Sequence, residues 1–196
     1  FDIDGTLLNS KHELDPFSMR VLQTLHAKGV YITLATGKSL PSTKELAEKI
    51  GLYEPLVFSN GCIVQYANGR LLHTTCLDRN AAEITLQTCD ELEEDWIIYY
   101  PDKIFIRELN NNTSWIMDYG GPFPLIKEDW RNLHEKLDEV AKIIVLDIEN
   151  PDRLNELERV LLERLKGHVS TYRTFVPLLE ILPVGVTKAT GLEIVA

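Results

Sequence analysis

The first part of the chain alternates short apolar runs with amphipathic stretches that carry helix signals at their ends. Asp15 followed by Pro16 is typical of a helix start. The apolar run 30–35 predicts a buried strand, a second helix follows until Gly51, and the run 55–59 predicts the next strand. This strand–helix–strand order predicts a parallel sheet with crossover helices.

After residue 61 the pattern becomes that of paired strands. Two apolar runs within 62–77 are separated by Asn68 and Gly69, a pair that favours a tight hairpin turn. Further on, strands are predicted at 96–100, 103–109, 141–148, 168–175 and 178–182, helices at 80–94, 127–139 and 150–167, and an irregular stretch at 110–124 with a turn at 120–122. Paired strands with helices on one side are typical of an α+β unit.

The change of pattern near residue 80 and its return near residue 184 predict two domains. Residues 1–79 and 184–196 would form an α/β core, and residues 80–183 an α+β cap domain inserted into it. Lys188 opens the last predicted helix, where the helix dipole does not favour a cation. A phosphate held by the lysine and the helix start together would account for it, and a solvated lysine is the alternative.

Two carboxylates lie one residue apart in the opening run FDIDGTLL. In an extended backbone Asp2 and Asp4 point to the same side, and Gly5 allows a sharp turn after them. Two like charges so close favour a bound cation, and oxygen ligands alone suit Mg²⁺. One carboxylate can then attack an electrophile while the other transfers protons, although a simple turn is the alternative interpretation.

Polar residues also follow the next two predicted strands. Thr36 and Lys38 come directly after one apolar run, and Asn60 directly after the other. Ligands of parallel sheets bind at the carboxyl ends of the strands. We therefore expect these side chains to meet Asp2 and Asp4 at one edge of the sheet.

The composition and charge of the chain limit the kinds of molecule that it is expected to bind. The 196 residues carry a formal net charge of −10, which argues against general binding to nucleic acid or anionic membranes. A phosphorylated substrate stays possible, because a metal and lysines can set the local field. No apolar run approaches the ~18 residues of a membrane span, and no signal peptide is visible. Three widely spaced cysteines fit a reducing cytosol, so a cytoplasmic location is expected.

The run FDIDGTLL resembles the nucleophile motif of the haloacid dehalogenase (HAD) superfamily of phosphohydrolases. LATGK is similar to the threonine motif of that family, and GVTKATGLEIVA to its lysine motif. SNG at 59–61 resembles the Cof-type (class IIB) branch. The short interval from Asp4 to Thr36 and the long one from Thr36 to Lys188 are similar to the branch whose cap lies between the second and third motifs.

The resemblance implies a Rossmann-like core and a Mg²⁺-dependent phosphatase of small phosphorylated metabolites, such as sugar phosphates, nucleotides, flavin or pyridoxal phosphates. Asp2 would be the nucleophile that forms an aspartyl-phosphate, and Asp4 the general acid and base. Asp2 and a backbone carbonyl at Asp4 would hold Mg²⁺, and Thr36 and Lys188 would stabilise the phosphate. The residues implied for phosphate or substrate binding are Gly37, Lys38, Asn60 and Gly61.

Two features depart from the family pattern. Lys38 stands where arginine is common, which keeps the charge but loses the bidentate fork. The acidic fourth motif that completes the Mg²⁺ site is absent and only Phe1 precedes Asp2, so we expect a core truncated at both ends and little activity from the 196 residues alone. A catalytically incomplete phosphate-binding or regulatory protein, or a phosphomutase, therefore stays open as an alternative.

Overall fold

The computed structural model describes residues 1–9, 11–120 and 123–196. It divides into two compact units, the first made of Phe1–Thr74 with Thr187–Ala196, and the second of Thr75–Val186. These divisions fall a few residues away from the predicted ones at 79/80 and 183/184. The role of the second unit as a cap domain stays a prediction.

The first unit combines helices with a three-stranded sheet, and the second combines helices with a six-stranded sheet. The helices are α1 (Pro16–Ala27), α2 (Leu40–Ile50), α3 (Arg79–Glu91), α4 (Asn111–Gly120), α5 (Arg153–Leu165) and α6 (Lys188–Val195). The strands are β1 (Leu56–Phe58), β2 (Ile63–Gln65), β3 (Leu71–Thr74), β4 (Trp96–Tyr99), β5 (Ile104–Ile106), β6 (Leu125–Lys127), β7 (Lys142–Leu146), β8 (Val169–Phe175) and β9 (Leu178–Pro183). Within the described ranges, no helix has the length and apolar character needed to cross a membrane.

Local signals set the ends of α1 and α2, as predicted. The Asp15 carboxylate accepts hydrogen bonds from the backbone N–H groups of Phe17 and Ser18, at 2.8 and 3.2 Å. Pro16 occupies the first helical position, where its missing N–H costs nothing. Gly51 ends α2 in the left-handed conformation with φ of 85°.

The prediction of a regular strand at 30–35 is wrong. The segment is extended and hydrogen-bonded on both sides: Ala35 N donates to Phe1 O and Val57 N donates to Leu34 O, both at 2.8 Å. Its one bridge is the parallel pair of Ala35 with Val57, and its first two residues are exposed. Too few consecutive residues are paired to make a strand. These contacts still place segment 30–35 between the start of the chain at Phe1 and strand β1 at Val57.

The predicted hairpin is confirmed. Strands β1, β2 and β3 form a sheet in which both neighbouring pairs are antiparallel. Asn68 and Gly69 lie in the turn between β2 and β3, where Gly69 N donates to Tyr66 O at 2.9 Å. In the first unit, the parallel bridges are the isolated pairs Ala35 with Val57 and Asp4 with Leu8, and the assigned strands belong to the hairpin sheet.

The second unit is built on a six-stranded sheet in the order β6-β5-β4-β7-β9-β8. Its pairs are antiparallel except for β5 with β6. Both faces are covered, because Trp96 and Ile98 of β4 pack in a core with α3 and α5, while Ile97 and Tyr99 pack on the opposite face with Ile116 of α4. The prediction of helices on one side only is therefore wrong.

Helix α4 occupies the stretch that was predicted to be irregular. Asn110 and Thr113 form reciprocal hydrogen bonds at its start: Thr113 N donates to Asn110 Oδ1 at 3.2 Å, and Asn110 N donates to Thr113 Oγ1 at 2.8 Å. Trp115 and Tyr119 are one turn apart and stack with ring centroids 5.3 Å apart. The asparagine-rich start led to the prediction of irregular structure. The reciprocal cap and the spacing of the two aromatic residues stabilise a helix there instead.

Two neighbouring predictions have different outcomes. The helix predicted at 127–139 is a 3₁₀ segment, Trp130–Glu139, directly after β6. The turn predicted at 120–122 falls on residues 121 and 122, which lie outside the described residues.

The buried face of α5 provides a stability test. Leu161 is fully buried in the core under α5, whereas the next residue, Leu162, is 45% exposed. We expect Leu161→Ala to lower the free energy of unfolding by about 2–5 kcal/mol, because it leaves a cavity. Leu162→Ala should change it by about 0.5 kcal/mol. Urea unfolding followed by circular dichroism measures both, and equal losses would contradict the assigned orientation of α5.

Candidate functional site

The residues that the sequence singled out all lie in the first unit. They come from four segments: the opening turn, the end of segment 30–35, the turn after β1, and the start of α6. The residues are Asp2, Asp4, Thr36, Gly37, Lys38, Asn60, Gly61 and Lys188.

The opening segment turns sharply after its second carboxylate. The backbone N–H groups of Leu7 and Leu8 both donate to Ile3 O at 3.0 Å, and Gly5 lies in the left-handed region with φ of 69°. Ile3 N in turn donates to Asp2 Oδ1 at 2.8 Å, which fixes the orientation of that carboxylate. The turn thus holds the acidic pair in place.

Lys188 contacts the first carboxylate directly. Its Nζ lies 2.8 Å from Asp2 Oδ2, although the two residues are far apart in the sequence. Both side chains are partly exposed, so the pair contributes little to stability. Thr187 and Thr190 cap the helix reciprocally and fix where α6 begins. The structure therefore brings a cation to the carboxylate that was predicted to attack.

The second carboxylate is paired with another lysine. Lys38 Nζ lies 3.0 Å from Asp4 Oδ1, and the lysine side chain is mostly buried. Among the described residues, no donor reaches Asp4 Oδ1 with good hydrogen-bond geometry, so this contact is mainly electrostatic. His12 Nδ1 lies 3.8 Å from the same oxygen. His12 is a single histidine in a polar loop, and no sequence pattern indicated that it lies beside Asp4.

The loop after segment 30–35 is locked to the turn after β1. Thr36 Oγ1 accepts from Lys38 N at 3.1 Å, which leaves the hydroxyl hydrogen available for another acceptor. Thr36 O accepts from Asn60 N at 3.0 Å. A side chain on Gly37 would come within 2.7 Å of Asn60 Oδ1, so the two loops approach closely.

A second close approach joins the turn after β1 to α6. Gly61 has φ of 108°, and an added Cβ would lie 2.0 Å from the backbone oxygen of Thr187. A Cβ on Gly191 would lie 2.5 Å from Val57 Cγ1. Glycine at both positions lets the helix start pack on the turn, and this packing places Lys188. The sequence motif contained both glycines, but their packing role was not predicted.

The donor set fits a hard cation in type. Asp2 and Asp4 supply carboxylate and carbonyl oxygens, which Mg²⁺ prefers. No group of three or more His, Cys, Asp or Glu side chains suited to a metal occurs in the part of the chain that the structure describes. The arrangement therefore fits an ion that takes one or two protein carboxylates and completes its shell with water and substrate oxygens.

Two acids, two lysines and a buried threonine lie at converging loops of the first unit, and these are residue types that hydrolytic sites use. Comparison with known proteins agrees with a hydrolase. The family model described as haloacid dehalogenase-like hydrolase matches residues 1–196. The chain belongs to this family, which confirms the predicted HAD superfamily membership, its Cof-type branch and the α/β fold class.

Individual relatives are distant in sequence and similar in fold. An HMP-PP phosphatase of Cronobacter sakazakii is 27% identical over 199 residues, covering 98% of this chain and 69% of that protein. The crystal structure of a haloacid dehalogenase-like hydrolase from Bacteroides thetaiotaomicron is 21% identical, with a TM-score of 0.86 over 98% of this chain and 73% of that chain. A Thermotoga maritima crystal structure is 26% identical, with a TM-score of 0.82 over 98% and 71%.

Proposed function

We propose that this protein is a phosphatase that hydrolyses small phosphorylated metabolites, with Asp2 as its nucleophile. The observation that carries the proposal is the 2.8 Å contact between Lys188 Nζ and Asp2 Oδ2. A phosphate monoester and a carboxylate repel each other, so a cation at the attacking oxygen is what the reaction needs. The name of the Cronobacter relative, a phosphatase, supports the same reaction class.

In the first step, an Asp2 oxygen attacks the phosphorus atom in line with the bond to the leaving oxygen. That bond breaks as the new one forms, and the phosphoryl group is transferred to Asp2 as an aspartyl-phosphate. Asp4 gives its proton to the leaving oxygen, so the product departs as an alcohol. Lys188 offsets the charge on the phosphoryl oxygens, and Thr36 donates its hydroxyl hydrogen to one of them.

In the second step, Asp4 acts as a base. It takes a proton from a water molecule whose oxygen attacks the phosphorus, and the bond between phosphorus and Asp2 breaks. Inorganic phosphate leaves and both carboxylates return to their initial states. Lys38, at 3.0 Å from Asp4 Oδ1, keeps this side chain oriented in both steps.

Mg²⁺ fits this proposal as a cofactor. The Asp2 carboxylate and the backbone carbonyl of Asp4 would hold it, and when bound it supplies positive charge that reduces the repulsion between carboxylate and phosphate. Its contribution is measurable as loss of turnover after chelation and recovery on adding the metal back.

Asp4→Asn tests the assigned proton transfer. With Mg²⁺ present, we expect the full-length protein to release phosphate from small esters, in a panel that includes sugar phosphates, nucleotides and HMP-PP. Asp4→Asn should lower kcat by about 10²–10⁴-fold with a smaller change in KM, since general acid–base catalysis is lost.

The matched control is Glu13→Gln, which removes the same charge from an exposed side chain in the same segment. It should leave kcat unchanged. A wild-type protein without turnover on any ester would contradict the proposed function, and an Asp4→Asn variant with wild-type kcat would contradict the role of Asp4.

A further inference from the structure

We propose that the second unit carries a separate binding site for a small oxyanion, a metabolite with a carboxylate or phosphate group. The site is a cleft of about 650 Å³ whose lining, among the described residues, comes from the second unit alone. Cavities of ~300–1,000 Å³ accommodate metabolite-sized molecules. This proposal does not rest on the catalytic role of Asp2.

One wall of the cleft is the sheet. Arg107 N donates to Trp96 O at 3.2 Å, so the two residues face each other across β4 and the end of β5. The strand register, with Ile97 opposite Ile106, leads to the same pairing. Residues opposite each other in an antiparallel pair project from the same face. Trp96 and Arg107 therefore line the cleft side by side.

The sheet wall contains one buried hydrogen-bond donor that has no partner among the described residues. Trp96 is 2% exposed, and its Nε1 has no acceptor among the described residues. The neighbouring Trp130 shows the usual arrangement, because its Nε1 donates to Asp90 Oδ2 at 2.9 Å. A buried donor without a partner costs free energy, so a ligand acceptor at Trp96 would be stabilised.

The lining of the cleft holds four carboxylates and three cations, and Arg107, the cation without an ion pair among the described residues, lies beside that donor. Lys127 and Arg131 are each paired with a carboxylate at 2.7 Å. Arg107 instead donates to the carbonyl oxygen of Glu94 at 2.8 Å, and within the described ranges no carboxylate forms an ion pair with it. A guanidinium and an indole N–H together supply directed donors and a charge, which is the recognition chemistry of an oxyanion.

The tryptophan indoles give a direct readout. Of the three tryptophans, Trp96 and Trp130 line the cleft, whereas Trp115 packs on the other face of the sheet. In ¹H–¹⁵N spectra, assigned with single Trp→Phe variants, we expect the Trp96 indole signal to move and saturate with millimolar or tighter affinity. The Trp115 signal should stay in place. The probes are inorganic phosphate and succinate, added separately.

Two variants that each remove one arginine charge distinguish binding at this site from nonspecific electrostatic attraction of the anion to the protein. Arg107→Gln should weaken binding about tenfold or more, because charge-assisted hydrogen bonds are lost. Arg159→Gln removes the same charge from an exposed position on α5 and should leave the affinity unchanged. A Lys188→Ala background removes a phosphate contact of the first unit from the titration.

Each result decides the proposal. Saturation by succinate alone assigns the site to carboxylates, saturation by phosphate alone assigns it to phosphates, and saturation by both assigns it to oxyanions in general. An unmoved Trp96 signal with both probes at about 10 mM, or equal affinities of Arg107→Gln and Arg159→Gln, would overturn the site. Turnover is not part of this readout, so its failure would leave the phosphatase proposal in place.

Discussion

Asp2→Asn is expected to abolish turnover of phosphate esters while the protein stays folded. The amide has the shape of the carboxylate but cannot attack phosphorus, so kcat should fall by about 10⁴-fold or more. The fold should tolerate the change, because the amide oxygen can still accept from Ile3 N, and the exposed pair with Lys188 contributes about 0–1 kcal/mol. The measurements are phosphate release and thermal unfolding.

A trapping experiment tests the covalent step itself. Wild-type protein mixed with a radiolabelled ester and quenched in acid should retain a label that hydroxylamine removes, as an acyl phosphate requires. Asp2→Asn should retain none, and Glu13→Gln should behave as wild type. Undiminished turnover in folded Asp2→Asn protein would rule out Asp2 as the nucleophile.

The fold could be predicted wherever the signal was local. Asp15, Gly51 and Thr187 carry the side chains or backbone freedom that begin or end a helix, and the structure has helix ends at these places. Segment 30–35 has the composition of a strand, but a strand needs partners along its length, and its pairs with Phe1 and Val57 are few. Strand pairing depends on residues that are distant in the sequence, so composition alone predicted more paired residues than the structure has.

In the candidate site, too, the sequence predicted some features and could not predict others. Motif resemblance selected Asp2 and Lys188, and the structure places them 2.8 Å apart. The sequence assigned Lys38 to the phosphate, whereas the structure places its ammonium at Asp4. Spacing along the chain brings a residue to the right edge of the fold, but it does not determine which neighbour a long, flexible side chain contacts. Contacts of that kind can be determined only from the three-dimensional structure.

Gly61→Ala is expected to damage both stability and catalysis, although the residue carries no functional group. Its Cβ would lie 2.0 Å from Thr187 O, a backbone atom that can move only if the start of α6 moves. That shift would take Lys188 away from Asp2. We expect a loss of about 3 kcal/mol or more in the free energy of unfolding. The kcat should fall by about 10²-fold, the effect of misplacing a catalytic group by ~1 Å.

Gly69→Ala is the matched control, because Gly69 also has a left-handed backbone, with φ of 88°, but the nearest atom to its Cβ would be Leu40 Cδ2 at 4.0 Å. It should cost about 1–2 kcal/mol for the backbone conformation alone and leave kcat unchanged. Urea unfolding and phosphate release measure both variants. If Gly61→Ala matched Gly69→Ala in both assays, the close packing of α6 on the turn after β1 would not be what positions Lys188, and the lysine would have to be held by the reciprocal cap of Thr187 and Thr190 alone.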